Sequence, residues 1–187
     1  SNFQGGDFGY TVYVTANPQV NVHLDDEFFE IINVWEDHWN DDLHTVMPEV
    51  MAEETIATYR SYPNKRLIAH FIQPHYPFIG EIGQSKLITH SGMELSKRLA
   101  TDREAERDQL SIWDQLYEWS VSLNLVWEAY RENLDITLPH VERVVYTFEE
   151  YTVVTSDHGN ALGERAWPVP NTIYGHPPEI RIPALTD

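Results

Sequence analysis

Apolar and polar positions along the chain fall into two rhythms. Tyr10-Thr11-Val12-Tyr13-Val14-Thr15-Ala16 is a β-branched and aromatic run stopped by Asn17-Pro18, which predicts a strand. Arg66-Leu67-Ile68-Ala69-His70-Phe71-Ile72 is nearly continuous in apolar residues, as a buried parallel strand should be. Tyr151-Thr152-Val153-Val154-Thr155 predicts the central strand, ending abruptly at Ser156-Asp157-His158-Gly159. A short final strand is expected over Ile180–Leu185.

Between these runs the period lengthens. Val46 to Tyr62 predicts a helix with Pro48 in its first turn and Pro63-Asn64 at its end. From Ser111, residues Ile112, Leu116, Trp119, Leu123, Val126, Trp127 and Tyr130 recur at three and four, the spacing of an amphipathic helix. A further helix is expected from Thr137 to Glu149, with Pro139 in its first turn. Residues 23–45 are acidic and aromatic and predict a helical or irregular insertion, residues 80–110 show no clear period, and a loop should follow Gly163. The element order is that of an α/β layered sandwich around a mostly parallel central sheet, in one domain over residues 1–187.

The strand ends carry the candidate chemistry. Asp157 and His158 would stand at the carboxyl end of a strand, where open α/β sheets place ligands. A carboxylate and an imidazole presented together can hold a divalent metal; a capping Asp beside a surface His is the plainer alternative. His75 follows the second strand in Gln73-Pro74-His75-Tyr76-Pro77, a loop stiffened by two prolines. An imidazole there can hydrogen-bond a substrate oxygen or protonate a leaving group. His70 alternates with apolar neighbours, so a satisfied core histidine and a substrate contact are both open readings.

Charge narrows the partners. Thirty acids face twelve bases for a net charge of −18, and Lys65, Lys86 and Lys97 are the only lysines. Such a surface repels nucleic acid and anionic lipid at low salt. Dispersed acid with scarce lysine fits a protein working in concentrated salt, where self-repulsion is screened within a few ångströms. There is no cysteine. No apolar run approaches the roughly 18 residues of a membrane span. Ser1–Gly6 has neither the basic nor the apolar part of an export signal, which leans towards a cytoplasmic location.

Three segments, in order, resemble one superfamily. Val153–Glu164 resembles the metal-binding segment of the sulfatase and alkaline-phosphatase superfamily. Tyr174-Gly175-His176, followed by Ile180-Arg181-Ile182-Pro183-Ala184-Leu185, resembles its next segment, and His70–Phe78 resembles its histidine-proline segment. With the acidic composition, the chain is similar to the haloarchaeal sulfatase-like proteins. The resemblance implies an alkaline-phosphatase-like fold and a divalent metal held by Asp157, His158 and His176. The Asp-His pair is more like the zinc or manganese branches than the calcium-binding sulfatases, with magnesium also open. His176 would bind metal or the ester oxyanion, and His75, with His70, would contact the substrate.

Two functions follow from that resemblance. One is metal-dependent hydrolysis of sulfate or phosphate esters, on a small molecule or a polysaccharide. The other is a non-catalytic binding or structural role on the same fold. The superfamily's nucleophile, in a Cys/Ser-x-Pro-x-Arg context after an acid-tipped strand, is not found in this sequence. The resemblance covers roughly the carboxyl-terminal two thirds of a catalytic domain, so the nucleophile segment either lies upstream of Ser1 or is lacking, which would leave half a site.

Overall fold

Val12 and Val14 are fully buried and Tyr13 between them is buried too, so the first strand must be covered on both faces. The computed structural model describes residues 6–24, 27–87, 97–98, 100–101, 111–166 and 171–175. In it β1 (Phe8–Thr15) is the middle of a three-stranded parallel sheet, flanked by β2 (Phe28–Asn33) and β3 (Arg66–His70). The register sets Tyr13 opposite Ile68 and Thr15 opposite His70, so Thr15 and His70 share the carboxyl edge. Asn33 pairs with Thr15 on the other side.

One face of the sheet receives Val12 and Val14 against Val34, Trp35, Val46 and Met51. Trp35 lies in α2 (Val34–Asp37) and Met51 in α3 (Pro48–Ser61). Pro48 sits at the helix start, where its missing N–H costs nothing. The other face packs Tyr13 against Val20, Leu24 and Phe28, with α1 (Val20–His23) supplying Val20. Fully burying a valine is worth about 1.5–3 kcal/mol, so β1 anchors both layers. The architecture is therefore mixed α/β with helical cover on a parallel sheet.

Past β3 the chain forms α4 (Glu81–Lys86), α5 (Ile112–Tyr117) and the long α6 (Leu123–Thr147). Ser111 begins α5 with a reciprocal cap: its hydroxyl accepts from Asp114 N–H at 3.1 Å, and its own N–H donates to Asp114 Oδ2 at 2.8 Å. Val126 and Ala129 of α6 pack with Ile112, Leu116 and Leu87, while Val144 packs with Ala52 and Ile56 of α3. Among the described residues, no helix is long and apolar enough to cross a membrane.

Several expected elements differ. Residues 28–33, expected in a helical or irregular insertion, form β2 instead. The amphipathic stretch from Ser111 breaks after Tyr117, with Trp119 at a positive φ of 56°. The helix expected to begin near Pro139 is continuous with the one before it, and Pro139 lies inside α6. The loop after Gly163 is an antiparallel hairpin of β4 (Ala161–Ala166) and β5 (Asn171–Gly175).

The largest correction is Tyr151–Thr155. This run is not a strand, and Tyr151, Val153 and Val154 are exposed, Val153 to 83%. A β-branched run becomes a strand only where a sheet edge takes its N–H and C=O groups, and among the described residues β3 pairs with β1 alone. The final strand expected at Ile180–Leu185 lies outside the described residues.

Candidate functional site

The end of β3 builds the buried half of the site. His70 Nδ1 lies 2.8 Å from the Tyr13 hydroxyl and 3.5 Å from Thr15 Oγ1, with the Tyr13 and His70 rings nearly parallel. Burial lowers the His70 pKa below 6.5; the Asp157 charge opposes that shift and the His158 charge adds to it. The imidazole is therefore neutral at pH 7. The Tyr13 hydroxyl is pushed up to about 12, first by burial and then by Asp157, so it keeps its proton. Each pair of neighbouring polar atoms is thus a neutral hydrogen bond, with no buried charge to compensate.

Asp157 and His158 reach this edge from an exposed segment, not from a strand end. The Asp157 charge acts on Tyr13, on His70 and on Tyr130 of α6, which sets it near the end of the sheet. Tyr130 is raised chiefly by burial, and its hydroxyl accepts from Asn160 Nδ2 at 3.2 Å. That contact ties the segment following Asp157 to the long helix.

Local hydrogen bonds orient the pair. Asp157 Oδ1 accepts from the His158 backbone N–H at 2.9 Å, which leaves Oδ2 turned to His158 Nε2 at 3.5 Å. His158 Nδ1 lies 3.0 Å from the Gly159 carbonyl, and a carbonyl can only accept. Nδ1 therefore carries a hydrogen, and Nε2 is the ring nitrogen that faces the carboxylate. Ser156 Oγ donates to the His158 carbonyl at 2.6 Å and tightens the turn.

His75 stands on the loop leaving β3. Its Nδ1 donates to the Tyr76 carbonyl at 2.6 Å, and its ring tilts against Tyr76 at 4.2 Å between centroids. Gln73 anchors the loop's start: its Nε2 donates to the Val46 carbonyl at 3.1 Å. Asn133 of α6, fully buried, faces the rest of the loop. The structure thus brings Asp157, His158 and His70 to one end of the sheet and puts His75 on the adjoining loop. His176 lies outside the described residues.

Tyr13, Tyr130 and Asn133 were not among the residues singled out from the sequence. Asn133 had a readable signal. It falls on the same helical stripe as Val126, Ala129 and Thr137, all buried, where an amide is unexpected without a partner. Tyr13 had none, since an aromatic in a strand reads as core.

No family model, no curated protein and no solved structure matches the chain.

Proposed function

We propose that the chain is a sulfatase-like domain of the alkaline-phosphatase superfamily and acts as a metal-dependent hydrolase of sulfate or phosphate esters. The observation that carries this reading is the Asp157–His158 pair. Its Oδ2 and Nε2 stand 3.5 Å apart. Two donors bound to one tetrahedral ion at about 2.0–2.2 Å lie about 3.4 Å apart, so the pair matches one edge of such a site. A ligating histidine usually gives its other N–H to a carbonyl or carboxylate, as His158 Nδ1 does to Gly159.

Among the described residues no three His, Asp or Glu side chains cluster closely enough to enclose an ion. The third donor in this reading is His176. The mixed oxygen and nitrogen donors suit zinc or manganese better than calcium or magnesium. When bound, the ion supplies Lewis acidity to the ester oxygens.

The chain's own residues divide the remaining work. Asp157 and His158 hold the ion, and the Gly159 carbonyl fixes which imidazole nitrogen does so. His75 contacts a substrate oxygen in this reading, its ring held through Nδ1 by the Tyr76 carbonyl. Neutral His70 and protonated Tyr13 line the floor without adding charge. The net charge of −18 makes concentrated salt the working medium, where an anionic ester approaches without long-range repulsion.

The test is turnover of p-nitrophenyl sulfate and p-nitrophenyl phosphate in molar KCl with added zinc or manganese. Wild-type activity that Asp157→Ala removes, with circular dichroism unchanged, supports the reading. Equal turnover in the variant refutes the assignment of Asp157. Binding of the ion without any turnover moves the chain to the non-catalytic reading of the same fold.

A further inference from the structure

Asn133 is fully buried on an otherwise apolar stripe of α6, and its amide is spent on one loop. Oδ1 accepts from the Ile79 N–H at 2.8 Å. Nδ2 faces the Pro77, His75 and Pro74 carbonyls at 3.0, 3.1 and 3.4 Å. The amide orientation is fixed by chemistry: turned over, it would set an oxygen against three carbonyls and an NH2 against an N–H. The carbonyls it gathers lie on both sides of His75, and one belongs to His75 itself.

Other bonds hold parts of the same loop: the His75 N–H donates to the Ile72 carbonyl at 3.1 Å and Gln84 Nε2 donates to the Ile79 carbonyl at 2.6 Å, but neither of these takes up the carbonyls of residues 74, 75 and 77. Pro74 and Pro77 have no N–H to give. The neighbouring Glu132 grips the loop's far end, accepting from the Ile82 N–H at 2.9 Å. Gly80 is what lets it approach, because a Cβ there would lie 2.1 Å from Glu132 Cδ. Helix α6 therefore holds the loop through two consecutive residues, Asn133 from Pro74 to Ile79 and Glu132 at Ile82. Packing alone would be met by leucine at 133. A buried amide with all its groups directed at one loop does something leucine cannot, which is to set the path of a chosen backbone segment.

We infer that Asn133 is the positioning residue for His75, locking the 74–79 backbone so that the His75 imidazole is held in one orientation. The role rests on the hydrolase reading for its purpose, but its geometry can be tested apart from turnover. Asn133 fixes the His75 carbonyl and the Tyr76 carbonyl fixes Nδ1, which together set the direction of the ring.

The experiment uses the full chain as wild type, Asn133→Asp and Asn133→Ala, in molar KCl. The His75 imidazole resonance, assigned with His75→Gln, is followed by NMR while inorganic phosphate is titrated in. The expected result is a variant that retains its circular dichroism but shows a displaced His75 resonance with its phosphate response lost. Turnover of p-nitrophenyl phosphate should fall in kcat by about tenfold to a hundredfold with KM little changed, the scale of a misplaced catalytic group. A folded variant whose His75 resonance and phosphate response match wild type overturns the inference, whatever the enzyme does. A displaced resonance alongside a wild type that hydrolyses no ester upholds the positioning and removes only the hydrolase reading. Should both variants fail to fold, hydrogen exchange of the wild-type Ile79 amide decides. Protection at the level of the α6 core supports the lock, and exchange at the rate of an open loop overturns it.

Discussion

The Tyr13 hydroxyl and His70 Nδ1 meet at 2.8 Å between adjacent parallel strands, at the edge of the sheet that Asp157 approaches. The contact joins the middle of the sheet to the candidate site, and it makes the sheet's stability sensitive to acid. His70 has its pKa lowered chiefly by burial. Between that depressed value and 6.5 the unfolded chain binds more protons than the folded one, so stability rises with pH across the window. The His70 contribution is fully present above pH 6.5 and is lost as pH falls through the folded value. Urea unfolding at pH 7.5 and pH 5.5 should show a larger acid loss for wild type than for His70→Gln. Parallel losses in the two proteins would refute the assignment.

Tyr13→Phe removes the 2.8 Å partner of His70 Nδ1 and leaves it the longer contact to Thr15 Oγ1 at 3.5 Å. Loss of a buried hydrogen bond of this kind costs about 1–3 kcal/mol. Equilibrium unfolding should register a loss of that size, and an unchanged midpoint would mean that water replaces the hydroxyl at no cost.

Val153 is 83% exposed, so Val153→Asp should change stability by no more than about 0.5 kcal/mol, the ordinary range for a surface change. A loss of about 2–4 kcal/mol would instead place the run in a buried strand.

How the sequence misleads at Val153 is instructive. Val12 and Val153 sit in runs of similar β-branched character, yet one is fully buried and the other faces solvent. Strand propensity reports how well a residue suits a pleated, half-buried surface, not whether a neighbouring edge exists to receive it. β1 and β3 were legible because their apolar content is nearly continuous and each is bounded by Asn or Pro, and α3 because Pro48 and Pro63 bracket it. Phe28–Asn33 was hidden by Asp25, Asp26 and Glu27 before it and by Glu30 within it, which made the stretch resemble a solvated helix. Pro139 suggested a helix start, but the long α6 runs through it. In the site, Asp157, His158, His70 and His75 could be picked out by residue type. Their supports Tyr13, Tyr130 and Asn133 depend on contacts across 30 to 59 residues, which local pattern does not encode.

Gly83 tests the packing beneath the His75 loop. A Cβ at this position would stand 2.2 Å from Phe78 Cβ, an approach that no rotamer relieves. Gly83→Ala should lower stability by about 1–3 kcal/mol through overpacking, measured by urea unfolding. An unaffected midpoint would mean that α4 does not lie so close to the loop.

Salt provides a test of the charge reading. With a net charge of −18, self-repulsion within the folded chain should be screened as the Debye length falls to about 3 Å at 1 M. Tm should rise between 0.1 M and 2 M KCl, and by more than a non-ionic stabiliser such as sucrose produces at matched osmolality. A Tm indifferent to KCl would contradict a halophilic adaptation.

The most direct measurement is the metal content of the purified chain after exhaustive dialysis, determined by elemental mass spectrometry for wild type, Asp157→Ala and His158→Ala. The account predicts about one zinc or manganese ion per wild-type chain, in line with one open site, and a near-complete loss in both variants with their fold retained. Wild type without a retained ion, or variants that hold as much as wild type, would contradict it.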